Sequence, residues 1–358
     1  MRSTIAIGLL LLAAACGSNQ PGGNGDHADA NPNAPDADPN APDADPSAPD
    51  ARPDAAPGTP DAKPDPMGNA IVFTIVMENH DYNEIVSQKA GDNASQDAPY
   101  VNELIAKYGL ATNYQETGSP SLPNYLHLVS GDNQYPGVLD VGPKQIPYFP
   151  VKANAAQDNN YDNVGHQLTA ANVAWRSYQE SMGKNTPCNL SDALPYATKH
   201  DPFLYFDNIQ NGADDLCKKT NVDYDANFAT DLAAGTYRYM WITPNLNSDG
   251  HDPSSDPRKA LKNSDAWLKK ALAPILASDG YKNGGVIFLT WDEAEGRSNN
   301  SKTQIPMIVI SPRLKSAGMK VNTAFTHSSY LATIEDMFGL PRLSTVTSTN
   351  NLLEFLNP

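Results

Sequence analysis

Five apolar runs constrain this chain more than any other feature. Residues 70–77, 172–175, 238–243, 285–291 and 307–311 are each close to continuous in apolar character and bounded by polar turn residues. A strand with one wet face alternates apolar and polar residues, whereas a strand covered on both faces has no such need. Between the runs lie helical patterns. In residues 256–278, Ala260, Leu261, Trp267, Leu268, Ala271 and Leu272 recur at helical spacing, and a second pattern over 329–338 stops at Gly339 and Pro341. Strand and helix in alternation predict an α/β fold, with a mostly parallel central sheet flanked by helices on both faces. Residues 67–358 contain no second proline-rich break, which suits one domain.

The first 66 residues follow different rules. Met1-Arg2-Ser3-Thr4 is a short positive start, residues 5–15 are uninterruptedly apolar or small, and Cys16 follows directly. Spanning a bilayer takes about 20 apolar residues, so this run suits the core of a signal peptide instead. Leu12-Ala13-Ala14-Ala15-Cys16 resembles a bacterial lipobox, so residues 1–16 are expected to be a lipoprotein signal with Cys16 lipidated. An ordinary cleaved signal peptide with an incidental Cys16 is the alternative, and either exports the protein. The expected location is the cell envelope, lipid-anchored, or secreted if Cys16 is not lipidated. Residues 17–66 are built from Asp, Ala, Pro, Asn and Gly, with a seven-residue repeat at 33–39, 40–46 and 47–53. Proline at two positions of each repeat forbids a continuous helix, so a disordered, extended stalk is expected.

Charge narrows the partners. The chain has 25 Lys and Arg against 41 Asp and Glu, a formal −16. Duplex binding needs basic residues to neutralise phosphates, so no nucleic-acid partner is expected, and membrane contact is expected through the N-terminal lipid only. An anionic substrate must then be drawn in by something local, such as a metal. Once Cys16 is assigned to lipid, Cys188 and Cys217 remain. Two leftover thiols in an exported chain most simply join, closing a loop of about 30 residues that stabilises on the order of 3 kcal/mol. Two free buried thiols are the alternative.

The polar residues that follow the apolar runs carry the chemistry. The first run ends in Glu78-Asn79-His80-Asp81-Tyr82 and the fourth in Asp292-Glu293-Ala294-Glu295, while 238–243 leads into a loop holding Asn245, Asp249, His251 and Asp252. Open parallel sheets bind ligands outside the carboxyl ends of their strands. One such acid alone reads as a turn residue; three strand ends together deliver carboxylates that repel one another unless a hard divalent cation neutralises them. Ser121, ahead of Pro123, sits where a helix is expected to begin, either as a nucleophile at an anion-favouring helix N-terminus or simply as the cap.

At this point the chain resembles the bacterial and fungal phosphoesterases that include certain acid phosphatases and phospholipases C, related to the alkaline phosphatase superfamily. The resemblance runs over residues 70–342 in ordered blocks: Met77-Glu78-Asn79-His80, Pro120-Ser121-Leu122-Pro123-Asn124-Tyr125, Trp175-Arg176-Ser177-Tyr178-Gln179-Glu180, Lys199-His200-Asp201-Pro202-Phe203, Pro244-Asn245-Leu246 with Asp249-Gly250-His251-Asp252, Thr290-Trp291-Asp292-Glu293, and Thr326-His327-Ser328-Ser329 with Thr333-Ile334-Glu335-Asp336. What it implies is a phosphoserine mechanism. Glu78, Asn79, Asp292 and Glu293 would hold a divalent metal ion (Mg, Ca, Mn or Zn), and Ser121 would attack phosphorus. His200, His251, His327 and Asp249 would bind phosphate oxygens, protonate the leaving group or complete a second metal site. Asn245 and Asp252 are second choices there, and Asn124 and Tyr178 are expected to contact substrate. The pair Asp292-Glu293 stands where the wider superfamily has Asp-His, which favours an oxygen-rich single-metal site. His127 is expected to be a core group, and His80 is open between a site and a structural role.

The expected activity is therefore metal-dependent hydrolysis of phosphate monoesters. A phospholipase C or other phosphodiesterase is the runner-up, although phospholipases of this family usually carry further C-terminal domains. A non-catalytic surface lipoprotein that binds a phosphorylated ligand would have lost site residues, yet Glu78, Ser121, His251, Asp292 and His327 are all present.

Overall fold

The segment Val72–Met77 is buried at every position and becomes β1, a strand in the middle of the sheet. The computed structural model describes residues 67–68, 70–133, 140–146, 150, 162–251, 256–296 and 303–358; the expected signal peptide with Cys16, the expected stalk and Asp252 lie outside the described residues. The other described strands are β2 (Gly109–Gln115), β3 (Trp175–Gln179), β4 (Asn221–Asp223), β5 (Tyr239–Thr243), β6 (Val286–Trp291), β7 (Gln304–Ile310), β8 (Lys320–Val321) and β9 (Phe325–Thr326). They form one sheet in the order β4-β3-β5-β1-β6-β7-β2-β8, with β9 also on β2. β4, β3, β5, β1 and β6 run parallel, and β7 alone of the described strands opposes its neighbours. Every residue of β1, β5 and β6 is buried, so both faces of the sheet's centre are covered, as their continuous apolarity requires.

Two groups of helices supply the cover. His327–Met337 packs on Ser121–Ser130 and Val164–Ala170, while Pro257–Ala277 packs on Pro99–Lys107 and Asn93–Asp97. The long helix follows its sequence signals closely: the Asp256 side chain accepts from Arg258 N, Pro257 opens the first turn, and Ala260, Leu261, Leu268, Ala271, Leu272 and Ile275 form the buried stripe. On the sheet face under His327–Met337, the Tyr330 hydroxyl lies 2.6 Å from Thr74 Oγ1 and 2.9 Å from the Tyr239 hydroxyl, which satisfies three buried polar groups at once.

Three strands differ from the sequence expectation. The run at 172–175 contributes only Trp175 to β3, because Asn172 turns through a φ of 55° after the preceding helix and the strand begins later, in the more polar Trp-Arg-Ser-Tyr-Gln. β2, Gly-Leu-Ala-Thr-Asn-Tyr-Gln, has polar residues and an irregular register against β7, so it carries no continuous apolar signal. β4 has only three residues. Among the described residues no helix is long and apolar enough to cross a membrane.

Cys188 and Cys217 are joined, 29 residues apart in sequence with Cα atoms 5.5 Å apart. Loop-closure entropy alone assigns that link about 3.5 kcal/mol. Replacing both cysteines with alanine should lower the unfolding free energy by roughly that amount in urea titration, and an unchanged midpoint would contradict the assignment.

Candidate active site

β5, β1 and β6 are adjacent and parallel, so the chain leaves all three at one edge of the sheet. Backbone bonds lock the exits together: Glu78 N donates to Asp249 O at 3.0 Å, Asp292 N to Met77 O at 3.0 Å, and His80 N to Glu293 O at 3.2 Å. Asn79 ties the two acidic exits. Its backbone N–H donates to Asp292 Oδ1 at 3.0 Å and its side-chain amide to Glu293 Oε1 at 2.8 Å. The carboxylates expected to converge do converge, in a region where Glu78 and Asp292 have no solvent exposure.

Ser121 enters this group from the first turn of the ten-residue helix Ser121–Ser130. Its hydroxyl does not cap the helix. Instead Oγ lies 3.1 Å from Glu78 Oε2, 3.1 Å from Glu293 Oε1 and 3.3 Å from Asn79 Oδ1. Asn124 fixes the approach: Oδ1 accepts from Thr117 N at 3.0 Å, and Nδ2 donates to Gly118 O at 2.7 Å, so it fastens the loop that delivers Ser121. The helix ends at Gly131, whose φ of 70° closes the C-terminus, and a Cβ there would stand 2.5 Å from Thr345 Oγ1.

A hydroxyl has one proton, so Ser121 can satisfy only one of its three acceptors at a time. Around it, Glu78 Oε1, Asp292 Oδ2 and Glu293 Oε2 are buried without hydrogen-bond partners among the described residues. Burial, then the charges of Asp292 and Asp249, push Glu78 well above the usual carboxylate range; burial and Glu293 do the same to Asp292, and burial raises Glu293. These orphaned oxygens have the chemistry of donors to a hard divalent cation, which Glu78, Asn79, Asp292 and Glu293 could hold together. Among the described residues no group of three or more His, Cys, Asp or Glu side chains is placed to hold a metal ion by itself.

The histidines divide. His200 is buried with Nε2 3.2 Å from Glu78 Oε1, off the line of a hydrogen bond, and the Tyr125 ring stacks on it at 5.2 Å. Burial, with Lys199 and His251 nearby, holds His200 well below the usual imidazole value, so it is neutral. His251, with a third of its side chain exposed, lies at the rim, its Nε2 3.6 Å from Glu295 Oε2 and its backbone N–H donating to Asp249 Oδ1 at 3.0 Å. His327 stands behind Asp292 instead of beside Ser121. Its Nε2 is 2.7 Å from Asp292 O, which can only accept, so Nε2 carries the proton; burial holds the ring down to about 3, and the neutral Nδ1 then accepts from the Tyr114 hydroxyl at 3.0 Å. With both nitrogens engaged, His327 orients Asp292 and cannot also touch a phosphate.

Other expected residues take structural positions. The Tyr178 hydroxyl donates to Asp231 Oδ2 at 2.9 Å and its ring meets Phe228 edge to face. Asn245 uses its side chain within its own loop and on Ser181. His80 braces Gly250 O at 2.8 Å and Glu84 at 3.0 Å, and His127 bonds Asn133 and Ser328. Sequence reasoning gave no role to Lys199, although it occupies the residue before His200 and lies near Glu78 and Asp292. Its position inside a motif block was the available signal.

A family model described as the Phosphoesterase family matches residues 79–341. The chain is 29% identical over 296 residues to a probable acid phosphatase of Kluyveromyces lactis, covering 79% of this chain and 62% of that one. It is 26% identical over 283 residues to a phosphatidylinositol-3-phosphatase of Mycobacterium tuberculosis, covering 78% and 80%. The chain thus spans about six-tenths of the length of the yeast relative. A protein of the alkaline phosphatase superfamily from Vibrio parahaemolyticus shares the fold, with a TM-score of 0.50 at 12% identity over 81% of this chain and 70% of that one.

Beneath His200, Asp201 is fully buried; it accepts from Ser177 Oγ at 3.1 Å through Oδ1, and Oδ2 has no partner among the described residues. Burial pushes it up to about 8. A folded-state value above the unfolded value of about 3.9 means that the fold holds this proton more tightly, so the contribution to stability is complete below about pH 4 and is lost as pH rises toward 8. Asp201→Asn keeps an acceptor for Ser177 and removes the titration. Thermal melts across that window should decline less steeply for the variant than for the parent; parallel curves would refute the assignment.

Proposed function

We propose that the protein, which belongs to the Phosphoesterase family, hydrolyses phosphate monoesters by a phosphoserine route with Ser121 as nucleophile. The observation that carries this reading is the placement of Ser121 Oγ, in a helix first turn, against Glu78, Asn79 and Glu293. In the proposed reaction Oγ forms a bond to phosphorus as the bond to the leaving oxygen breaks. The hydroxyl proton passes along its hydrogen bond to Glu78 Oε2 or Glu293 Oε1, each 3.1 Å from Oγ. His251, at the solvent edge, would give the leaving oxygen its proton, and a water then releases the phosphate from Ser121. A divalent cation (Mg, Ca, Mn or Zn) held by Glu78, Asn79, Asp292 and Glu293 would supply Lewis-acid neutralisation of the developing charge. The positive end of the Ser121–Ser130 helix favours the phosphoryl oxygens in the same place.

The names of both relatives, an acid phosphatase and a phosphatidylinositol-3-phosphatase, support monoesters over diesters. The reading includes export and a lipid anchor, supported by the apolar run that precedes Cys16 and the proline-rich sequence after it.

Hydrolysis of a chromogenic phosphate monoester, compared with the corresponding diester, tests the proposal. Ser121→Ala should reduce kcat on the monoester by at least about a thousandfold. Undiminished turnover by the variant would exclude the phosphoserine route, and a preference for the diester would move the protein to the phosphodiesterases.

A further inference from the structure

Asp140 and Lys199 lie beside the Ser121 helix with no part in the chemistry above. Leu122 N, one residue after the nucleophile, donates to Asp140 Oδ1 at 3.2 Å, and Lys199 Nζ pairs with Asp140 Oδ2. Both side chains meet solvent, Lys199 at 24% exposure and Asp140 at 30%. Lys199 feels the charges of Glu78 and Asp292, and Asp140 acts on Glu293, which sets the pair at the edge of the carboxylate group around Ser121. His200, the next residue along from Lys199 and 2% exposed, directs an Nε2 with no hydrogen-bond partner among the described residues toward Glu78, whose other oxygen contacts Ser121.

A carboxylate held by an ammonium on one oxygen and by a helix N-terminal amide on the other makes the contacts that two phosphoryl oxygens would make. Here it makes them next to the nucleophile, where the substrate must otherwise approach Glu78, Asp249, Asp292 and Glu293. We propose that Lys199 and the Leu122 amide form the subsite for the phosphoryl oxygens, and that the Asp140 carboxylate occupies it until a phosphate takes its place. This inference rests on the reading of Ser121 as nucleophile. Lys199 attracts the anion and fixes its orientation, while Asp140 keeps Lys199 paired and positioned when no anion is bound. The two residues therefore act on anion affinity with opposite signs.

The full chain, its Asp140→Asn, Lys199→Gln and Lys199→Arg variants, and inorganic phosphate as the probe provide the test, with affinity read by calorimetry and by competitive inhibition of monoester turnover. Asp140→Asn should bind phosphate several-fold more tightly, Lys199→Gln about tenfold more weakly, and Lys199→Arg close to the parent. Weaker binding in both Asp140→Asn and Lys199→Gln, or unchanged affinity in either, would overturn the proposal. If Lys199→Gln fails to melt cooperatively, Asp140→Asn decides alone: a tightening that persists in high salt supports direct competition for the subsite, and one that vanishes there, where a long-range charge effect is screened, overturns the proposal. Opposite shifts in phosphate affinity without any monoester turnover by the parent would reject the phosphatase reading and keep the subsite. Ser121-dependent turnover without those shifts would do the reverse.

Discussion

Mutual repulsion among buried carboxylates is the constraint on which the rest of this site depends. Two unit charges 4 Å apart repel by about 4 kcal/mol at an effective dielectric near 20, against a total stability of about 5–15 kcal/mol for a typical domain. Glu78, Asp292 and Glu293 nevertheless meet around one hydroxyl, with Asp249 on the adjoining strand exit. Such a grouping persists when backbone geometry enforces it and when a proton or a cation offsets the charge. The enforcement is visible: the three strand exits exchange backbone hydrogen bonds, Asn79 bridges Asp292 and Glu293, and His327 holds the Asp292 carbonyl from behind.

The same arrangement explains why the sheet is built as it is. β5, β1 and β6 are the most completely buried strands, and they are neighbours. Burial of both faces leaves little freedom in register, so the residues following each strand are fixed relative to one another. Rigid elements then hold the polar groups, and the loop before Ser121 is fastened by Asn124 instead of being left to fluctuate.

Much of this was legible in the sequence because the central strands are continuously apolar and their ends are acidic. Val72–Met77 and Val286–Trp291 announce themselves, as does the long helix from its Asp256 cap to its buried stripe. The convergence of Glu78, Asn79 and Glu293 on Ser121, with Asp292 tied to Asn79, follows from parallel strands sharing one edge. β2 and β3 were harder, since Thr112, Asn113, Arg176 and Gln179 interrupt any apolar pattern; pairing with neighbouring strands, which is not local in sequence, makes them strands. Nor does residue type separate His200, which faces Glu78, from His327, which faces a backbone carbonyl, or reveal that Tyr178 spends its hydroxyl on Asp231. Those distinctions depend on which side of a strand or helix the side chain leaves.

The proposal that a cation offsets the carboxylates around Ser121 can be checked by melting the chelator-treated protein during titration with Mg²⁺, Ca²⁺, Mn²⁺ and Zn²⁺ in turn. At least one of them should raise Tm saturably, by the equivalent of about 2.7 kcal/mol at a hundred times its Kd, and Asp292→Asn should abolish the rise. A Tm indifferent both to chelator and to every one of these ions would contradict it.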